Sequence, residues 1–159
     1  MYVAMVNEAL DKIYSKPVGK RLIDGIVTSG EAKFGYKVCI QRPDMRVMEL
    51  NGEKMVGAGN LAVRVNEEKA CNGEGTQTAI KYNHNAIKTP DGSRPNFIGL
   101  AHELVHALHN LNGDASADTT EEEHRTVGIG KYSNEDICEN SIRDEHNVPR
   151  RMAYSGLPE

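Results

Sequence analysis

The segment HELVH gives His102, Glu103 and His106 the spacing of an HExxH motif. Residues i and i+4 share one face of a helix, so the two imidazoles can hold one metal ion. Glu103 lies about 100° round the helix, from where it reaches a metal-bound water instead of the metal. Zinc lowers the pKa of such a water to roughly 7, and a glutamate can take its proton as the water attacks a carbonyl. The pattern predicts one zinc per chain, with the two histidines as ligands and Glu103 as the base.

A catalytic zinc takes three protein ligands and keeps one position open. The longer motif of the metzincins is excluded, because Asn112 stands where its third histidine should be and His109 stands at its glycine. We therefore expect a carboxylate from a later helix. The spacing leaves eight candidates open: Asp114, Asp118, Glu121, Glu122, Glu123, Glu135, Asp136 and Glu139. For Glu122 and Glu123, a capping box with Thr119 or Thr120 explains the pattern equally well.

The helix that carries the motif is predicted over 97–111, with Asn96 as its N-cap and Gly113 after its end. Apolar neighbours such as Leu104 and Val105 indicate that this helix is buried. Further elements follow from the hydrophobic spacing. We predict helices at 4–15 and from Pro17 to about 27, strands at 36–41, 46–50, 61–65 and 78–83, a tight turn at Asn51-Gly52, and loops at 66–76 and 83–96.

This order of helices, a small sheet and then helices predicts an α+β fold. We expect one domain over 1–159, with helices and sheet in about 1–83 and the catalytic helical part in about 96–154. The strand at 78–82 is a candidate edge strand, which in zincins pairs with the extended backbone of the substrate.

Composition excludes several other classes of protein. The formal net charge of −4 argues against nucleic-acid binding, and no apolar run approaches the ~20 residues of a membrane span. The beginning of the chain does not have the pattern of a signal peptide. Three widely separated cysteines predict reduced thiols and a reducing compartment.

Three other groups of polar residues have plainer interpretations. Glu139 and Arg143 have the i, i+4 spacing of an ion pair on a helix surface. Arg125 could bridge to Glu122 or reach the active site. The histidines outside the motif helix are expected to be surface or structural residues: His84, His124 and His146.

Three blocks of sequence closely resemble the NleD-like zinc metalloproteases, effectors that bacteria inject into host cells by type III secretion. These blocks are AHELVHALHNLNGD (101–114), EEHRTVGIG (122–130) and ENSIRDEHNVPRRMAY (139–154). The chain is more distantly similar to the catalytic light chains of clostridial neurotoxins, which carry an HELxHAxH helix, an EE-x-RT-x-G segment and an R-x-x-Y pair.

The resemblance implies roles for particular residues. Glu123 becomes the third zinc ligand, and Glu122 contacts the ligands without binding the zinc itself. Arg151 and Tyr154 become the pair that stabilises the transition state, as an oxyanion needs donors beyond the metal. His109, one turn beyond the HExxH motif, is expected to be a supporting or core histidine. The fold implied is a compact zincin of the gluzincin kind.

The resemblance also implies an endopeptidase that acts in the host cell cytoplasm on a signalling protein. NleD-like relatives cleave stress-activated MAP kinases such as JNK and p38, so a host kinase is the expected partner, and we expect a monomer. Two alternatives stay open. One is a metallopeptidase toxin domain of an antibacterial polymorphic toxin. The other is a zinc-stabilised binding module without activity, against which the intact Glu103 argues.

Overall fold

A long helix, Asn96–Asn112 (α4), carries the HExxH segment through the centre of the protein. The computed structural model describes residues 1–35, 38–50 and 52–154. Almost every side chain of α4 is buried, so neighbouring elements surround it. It is one residue longer at each end than predicted, and Asn96 is its first helical residue instead of its cap. Gly113 ends α4 with φ 72°, and a methyl group there would lie 2.7 Å from Gly73 Cα, so no larger residue fits.

Two N-terminal helices pack against α4. They are Tyr2–Tyr14 (α1), close to the prediction, and Pro17–Phe34 (α2), which continues well beyond residue 27 to Gly35 with φ 75°. The sequence underestimates α2 because its last turns are polar and lose the apolar spacing. The apolar residues that α1, α2 and α4 share form most of the core, among them Ile13, Leu22, Ile98, Leu100 and Leu111.

A three-stranded sheet lies beside these helices in the order β1-β5-β4. Its strands are Val38–Gln41 (β1), Leu61–Arg64 (β4) and Thr78–Lys81 (β5). β5 pairs in parallel with β1 and antiparallel with β4. The predicted edge strand at 78–82 is therefore wrong, because β5 is the central strand and β4 is the edge beside α4. Residues 36 and 37 of the first predicted strand lie outside the described residues.

Two small hairpins accompany this sheet. Arg46–Leu50 (β2) pairs antiparallel with Glu53–Gly57 (β3), which the sequence did not reveal as a strand. Of the turn predicted between them, Asn51 lies outside the described residues. Lys88–Thr89 (β6) and Gly92–Ser93 (β7) form the second hairpin, within a region predicted to be a loop.

A short helix, Glu67–Cys71 (α3), also replaces part of a predicted loop. The side chain of Asn66 caps it by accepting a hydrogen bond from the Lys69 N–H at 2.9 Å. An asparagine followed by two glutamates is a helix-start signal, but the helix is too short for hydrophobic spacing to reveal it.

The last third of the chain is helical. It comprises Thr119–Val127 (α5), a 3₁₀ turn at Gly130–Tyr132, and Glu139–Glu145 (α6). Asp118, and neither of the predicted threonines, caps α5, accepting from the Glu121 N–H at 3.0 Å. Both α5 and α6 pack against α4. The element order confirms the α+β fold, and no helix in the described residues could span a membrane.

Candidate metal centre and cleft

Two adjacent helices bring together a cluster of three potential metal ligands. His102 and His106 point from one face of α4, and Glu123 comes from α5. One Glu123 oxygen lies 3.0 Å from His102 Nε2 and the other lies 2.9 Å from His106 Nε2. The potential ligand atoms of these three residues all lie within 4.8 Å of one another. Two imidazoles and a carboxylate at this separation can hold one metal ion.

A buried carboxylate contacts Nδ1 of each imidazole, on the opposite side of the ring from the Nε2 atom that faces Glu123. His102 Nδ1 lies 2.7 Å from Glu139 Oε1, and His106 Nδ1 lies 2.6 Å from Glu122 Oε2. A carboxylate accepts the Nδ1 hydrogen and leaves the lone pair of Nε2 for a metal, which is how many metal-binding histidines are oriented. Glu122 is 3% exposed and Glu139 is fully buried.

Glu122 is itself fixed by neighbours. His109 Nδ1 lies 2.9 Å from Glu122 Oε2, and the hydroxyl of Thr126 donates to the same oxygen at 3.0 Å. Burial alone would raise the pKa of Glu122, but hydrogen bonds from His106 and His109 hold it well below its usual value. Glu122 therefore contacts both His106 and His109 on the Nδ1 side of their rings.

Charge and hydrogen bonds connect the three residues of the cluster. Burial opposes a charged imidazole at His106, yet hydrogen bonds to Glu122 and Glu123 raise its pKa to about 10. Burial likewise opposes a charged Glu123, and its bonds to the two histidines lower its pKa to about 2. A metal ion held by His102, His106 and Glu123 would take the place of protons on the histidines, as metal binding to histidines generally does.

Glu139 is the important residue that the sequence analysis misread. Its predicted surface pair with Arg143 is buried, with Arg143 Nε 2.8 Å from Glu139 Oε2. Glu139 Oε1 also accepts from Arg94 Nη1 at 2.8 Å and from Arg151 Nη1 at 3.1 Å. Although burial would raise its pKa, the hydrogen bond from His102 and the charges of Arg94 and Arg151 lower it. Three guanidinium groups thus surround one carboxylate directly behind His102.

The segment that follows α6 returns to this site. Asn140 holds it through two hydrogen bonds, accepting from the Arg151 N–H at 2.7 Å and donating to the Arg151 carbonyl at 2.9 Å. Arg151 is 5% exposed, and besides Glu139 its guanidinium reaches the carbonyls of Ala153 at 2.8 Å and Tyr154 at 3.1 Å. The Tyr154 ring lies parallel to that of His102 at 6.4 Å. Arg151 and Tyr154 are therefore beside the histidine cluster.

A cavity of about 640 Å³ opens over these residues. Glu103, only 7% exposed, lies in its wall together with the three clustered residues. The edge strand β4 lines one side of the cavity, and Arg151 and Tyr154 line another part of the wall. Burial raises the pKa of Tyr154, and the carboxylates of Glu123 and Glu103 add to this, so its phenol keeps its proton.

The other predicted carboxylate candidates have partners elsewhere. Arg125 pairs with Asp114 at 3.1 Å and Glu135 at 3.3 Å, so neither predicted role for this arginine is correct. Glu121 pairs with Lys131, Asp136 pairs with Arg21, and Asp118 caps α5. In the part of the chain that the structure describes, Glu123 alone of the eight candidates joins the histidine pair in a metal-sized group.

None of the curated proteins compared matches the chain. The M91 peptidase family, described as an effector protein family, matches residues 1–154, a span that includes every residue of the cluster and of the cavity wall. The family implies a metallopeptidase, consistent with two histidines and a glutamate within reach of one ion. The chain therefore belongs to the NleD-like M91 family of effector metallopeptidases.

Proposed function

We propose that this protein is a zinc-dependent endopeptidase of the gluzincin kind. His102, His106 and Glu123 hold one zinc ion, and Glu103 is the general base. The observation that carries the proposal is the cluster of three ligand atoms within 4.8 Å of one another, in the same cavity wall as Glu103. Two imidazoles and a carboxylate are a ligand set of catalytic zinc, and three protein ligands leave a position for water and substrate.

A zinc ion at this site would activate water and polarise the carbonyl of the scissile bond. Glu103 then accepts a proton from the attacking water and passes it to the leaving amine. Glu122 and Glu139 keep the two imidazoles in the orientation that ligation requires, since each carboxylate accepts a hydrogen bond from the Nδ1–H of one imidazole.

Arg151 and Tyr154 stabilise the negative charge that develops on the carbonyl oxygen. Tyr154 lines the cavity and its raised pKa keeps the phenol able to donate. Arg151 also lines the cavity, and its hydrogen bonds to Glu139, Ala153 and Tyr154 use three of the five N–H groups of a guanidinium. Donors that are fixed before the reaction stabilise an oxyanion without the cost of reorganisation.

The edge strand β4 binds the substrate backbone in extended form. Leu61 and Val63 are 53% and 42% exposed, and both line the cavity beside the cluster. A peptide that adds a strand to this edge lies along the cavity with its carbonyl groups close to the ligands. This arrangement suits a protein substrate with an accessible loop.

The biological substrate is a host signalling protein, and by resemblance to NleD-like proteases a stress-activated MAP kinase in the host cytoplasm. Membership of an effector family supports this setting. The choice of a kinase as the substrate follows from the resemblance.

The test is to map cleavage sites by mass spectrometry after adding the zinc-loaded protein to host-cell lysate. Glu103→Ala is the control, because it removes the base and none of the ligands. We expect new peptide termini in a host kinase with the wild type and none with the control. Identical termini in both samples would refute the role of Glu103, and cutting confined to other proteins would refute the kinase.

A further inference from the structure

Two residues of the cavity wall each carry a buried hydrogen-bond donor that has no partner among the described residues. These donors are Asn60 Nδ2 and Arg94 Nε. The side chain of Arg94 is 9% exposed. An unpaired buried donor costs free energy, so such a group in a native protein calls for a partner, which beside a cavity is a ligand or an ordered water.

The orientation of Asn60 is fixed by its other amide atom. Asn60 Oδ1 accepts a hydrogen bond from the Asn83 N–H at 2.7 Å. Only the oxygen can accept, so the unpaired atom of Asn60 is the NH₂ donor and the amide cannot be flipped.

Arg94 directs a free edge of its guanidinium to the same place. Its Nη1 is held by Glu139 at 2.8 Å, which leaves the edge formed by Nε and Nη2. A methyl group at Gly99 would lie 2.6 Å from Asn60 Nδ2, 3.4 Å from Arg94 Nη2 and 3.5 Å from Arg94 Nε. The donors of Asn60 and Arg94 therefore converge above Gly99, one helical turn before Glu103 on α4.

The charge of Arg94 is only partly neutralised. Arg94 and Arg151, which both line the cavity, share the single carboxylate of Glu139 with Arg143. The Nε–Nη2 edge of an arginine matches a carboxylate with two parallel hydrogen bonds.

We propose that Asn60 Nδ2 and the free edge of Arg94 form a subsite for the carboxylate of an aspartate or glutamate in the substrate, close to the scissile bond. The proposal rests on the proposed peptidase function and adds a specificity to it. Asn60 and Arg94 bind the substrate here and take no part in the chemical step.

The test uses a synthetic library of randomised ten-residue peptides. At every position, aspartate and asparagine are present in equal amounts, and so are glutamate and glutamine. Mass spectrometry after cleavage by the zinc-loaded protein gives the acid-to-amide ratio at each position around the cut. We expect the acid to be preferred over its amide by about tenfold or more at one position, because hydrogen bonds to charged groups are stronger than those between neutral groups. An even ratio at all positions, with cleavage that Glu103→Ala abolishes, would refute the subsite and leave the peptidase intact.

Two variants and a matched control assign the preference to these residues. Asn60→Asp keeps the acceptor for Asn83 and replaces only the donor, and Arg94→Lys keeps the charge and loses the planar edge, so each should bring the ratio close to one. Asn72→Asp is the control, since Asn72 also accepts a backbone N–H, that of Glu74 at 2.9 Å, at an exposed position that does not line the cavity. Its ratio should equal that of the wild type. A wild-type ratio in both Asn60→Asp and Arg94→Lys would refute the assignment.

If the wild type cleaves no peptide, the proposed function fails and the subsite is tested by binding alone. The library is then passed over immobilised zinc-loaded protein and the retained peptides are sequenced. Enrichment of acidic residues that Asn60→Asp abolishes would support the subsite, and retention without enrichment, or no retention, would refute it.

Discussion

At the scale of single residues, the site depends on carboxylates that do not touch the metal in the proposed scheme. Glu122 and Glu139 each hold one imidazole through Nδ1, at 2.6 Å and 2.7 Å. Glu139 has the greater structural role because three arginines, of which Arg143 and Arg151 are buried, also pair with its carboxylate. Removing one partner of a buried ion pair leaves the others uncompensated, which costs far more than losing a surface pair.

We therefore expect Glu139→Gln to destabilise the protein by about 3–5 kcal/mol and to weaken zinc binding by about 10–100-fold. Urea unfolding and competition with a chelator measure the two effects. Asp136→Asn is the control, because its pair with Arg21 is exposed to solvent and contributes little to stability. Equal stability of the two variants would show that the buried cluster does not need the charge of Glu139.

Tyr154→Phe tests the proposed transition-state donor, since it removes one hydroxyl and almost no volume. We expect kcat and kcat/KM to fall together, by about 10²–10³ in kcat, with zinc content unchanged. Arg150→Ala is the control, because Arg150 pairs with Asp144 at the surface. If Arg150→Ala is the more damaging change, the segment that follows α6 docks the substrate or caps the fold and does not stabilise the transition state.

At the scale of elements, β4 is the edge strand to which we assign the substrate backbone, a role that the sequence analysis gave to residues 78–82. The Val65 N–H donates to the Gln77 carbonyl, and in an antiparallel ladder the pairing alternates. The N–H groups of Leu61 and Val63 therefore face β5, whereas those of Ala62 and Arg64 face the open edge.

Ala62→Pro should remove one outward N–H and leave the pairing with β5 intact. We expect kcat/KM for a protein substrate to fall at least several-fold, with zinc content and melting temperature close to those of the wild type. Val63→Pro is the contrasting variant and should lower the melting temperature, because its N–H faces β5. Unchanged kcat/KM in Ala62→Pro would show that the substrate does not pair with this edge.

The sequence predicted the helices and strands better than it predicted which of them pack against each other. The motif helix was clear because its apolar residues recur at helical spacing and Gly113 ends it. Alternation revealed β5 as a strand, but its central position depends on pairing with β1 and β4, which are distant in sequence. Glu139 was read as a surface residue because Glu-x-x-x-Arg on a helix is common at surfaces, and only tertiary packing shows that it is buried.

At the scale of the whole molecule, an ion in this site would link two helices, α4 and α5, whose residues His102, His106 and Glu123 contact one another there. Its ligands come from α4, which packs against both N-terminal helices, and from α5 in the last third of the chain. Any ligand that binds the folded chain and not the unfolded chain stabilises the fold.

Removal of zinc should therefore lower the melting temperature, by about 5–10 °C relative to protein with zinc at ~100 times its Kd. Differential scanning calorimetry with and without a chelator measures the shift. His102→Ala supplies the control, since its melting temperature should not respond to the chelator. A chelator shift of the same size in His102→Ala would assign the stabilising ion to another site.

The most direct test of the central claim is a crystal structure of the zinc-loaded protein, with anomalous diffraction measured at the zinc edge. We predict one peak, bound by Nε2 of His102 and His106 at about 2.0–2.1 Å and by a Glu123 oxygen at about 2.0–2.2 Å. Glu122 and Glu139 should remain behind the imidazoles, on Nδ1. A peak bound by Glu122 or Glu139 in place of Glu123, or no peak at the histidine pair, would contradict the proposed site.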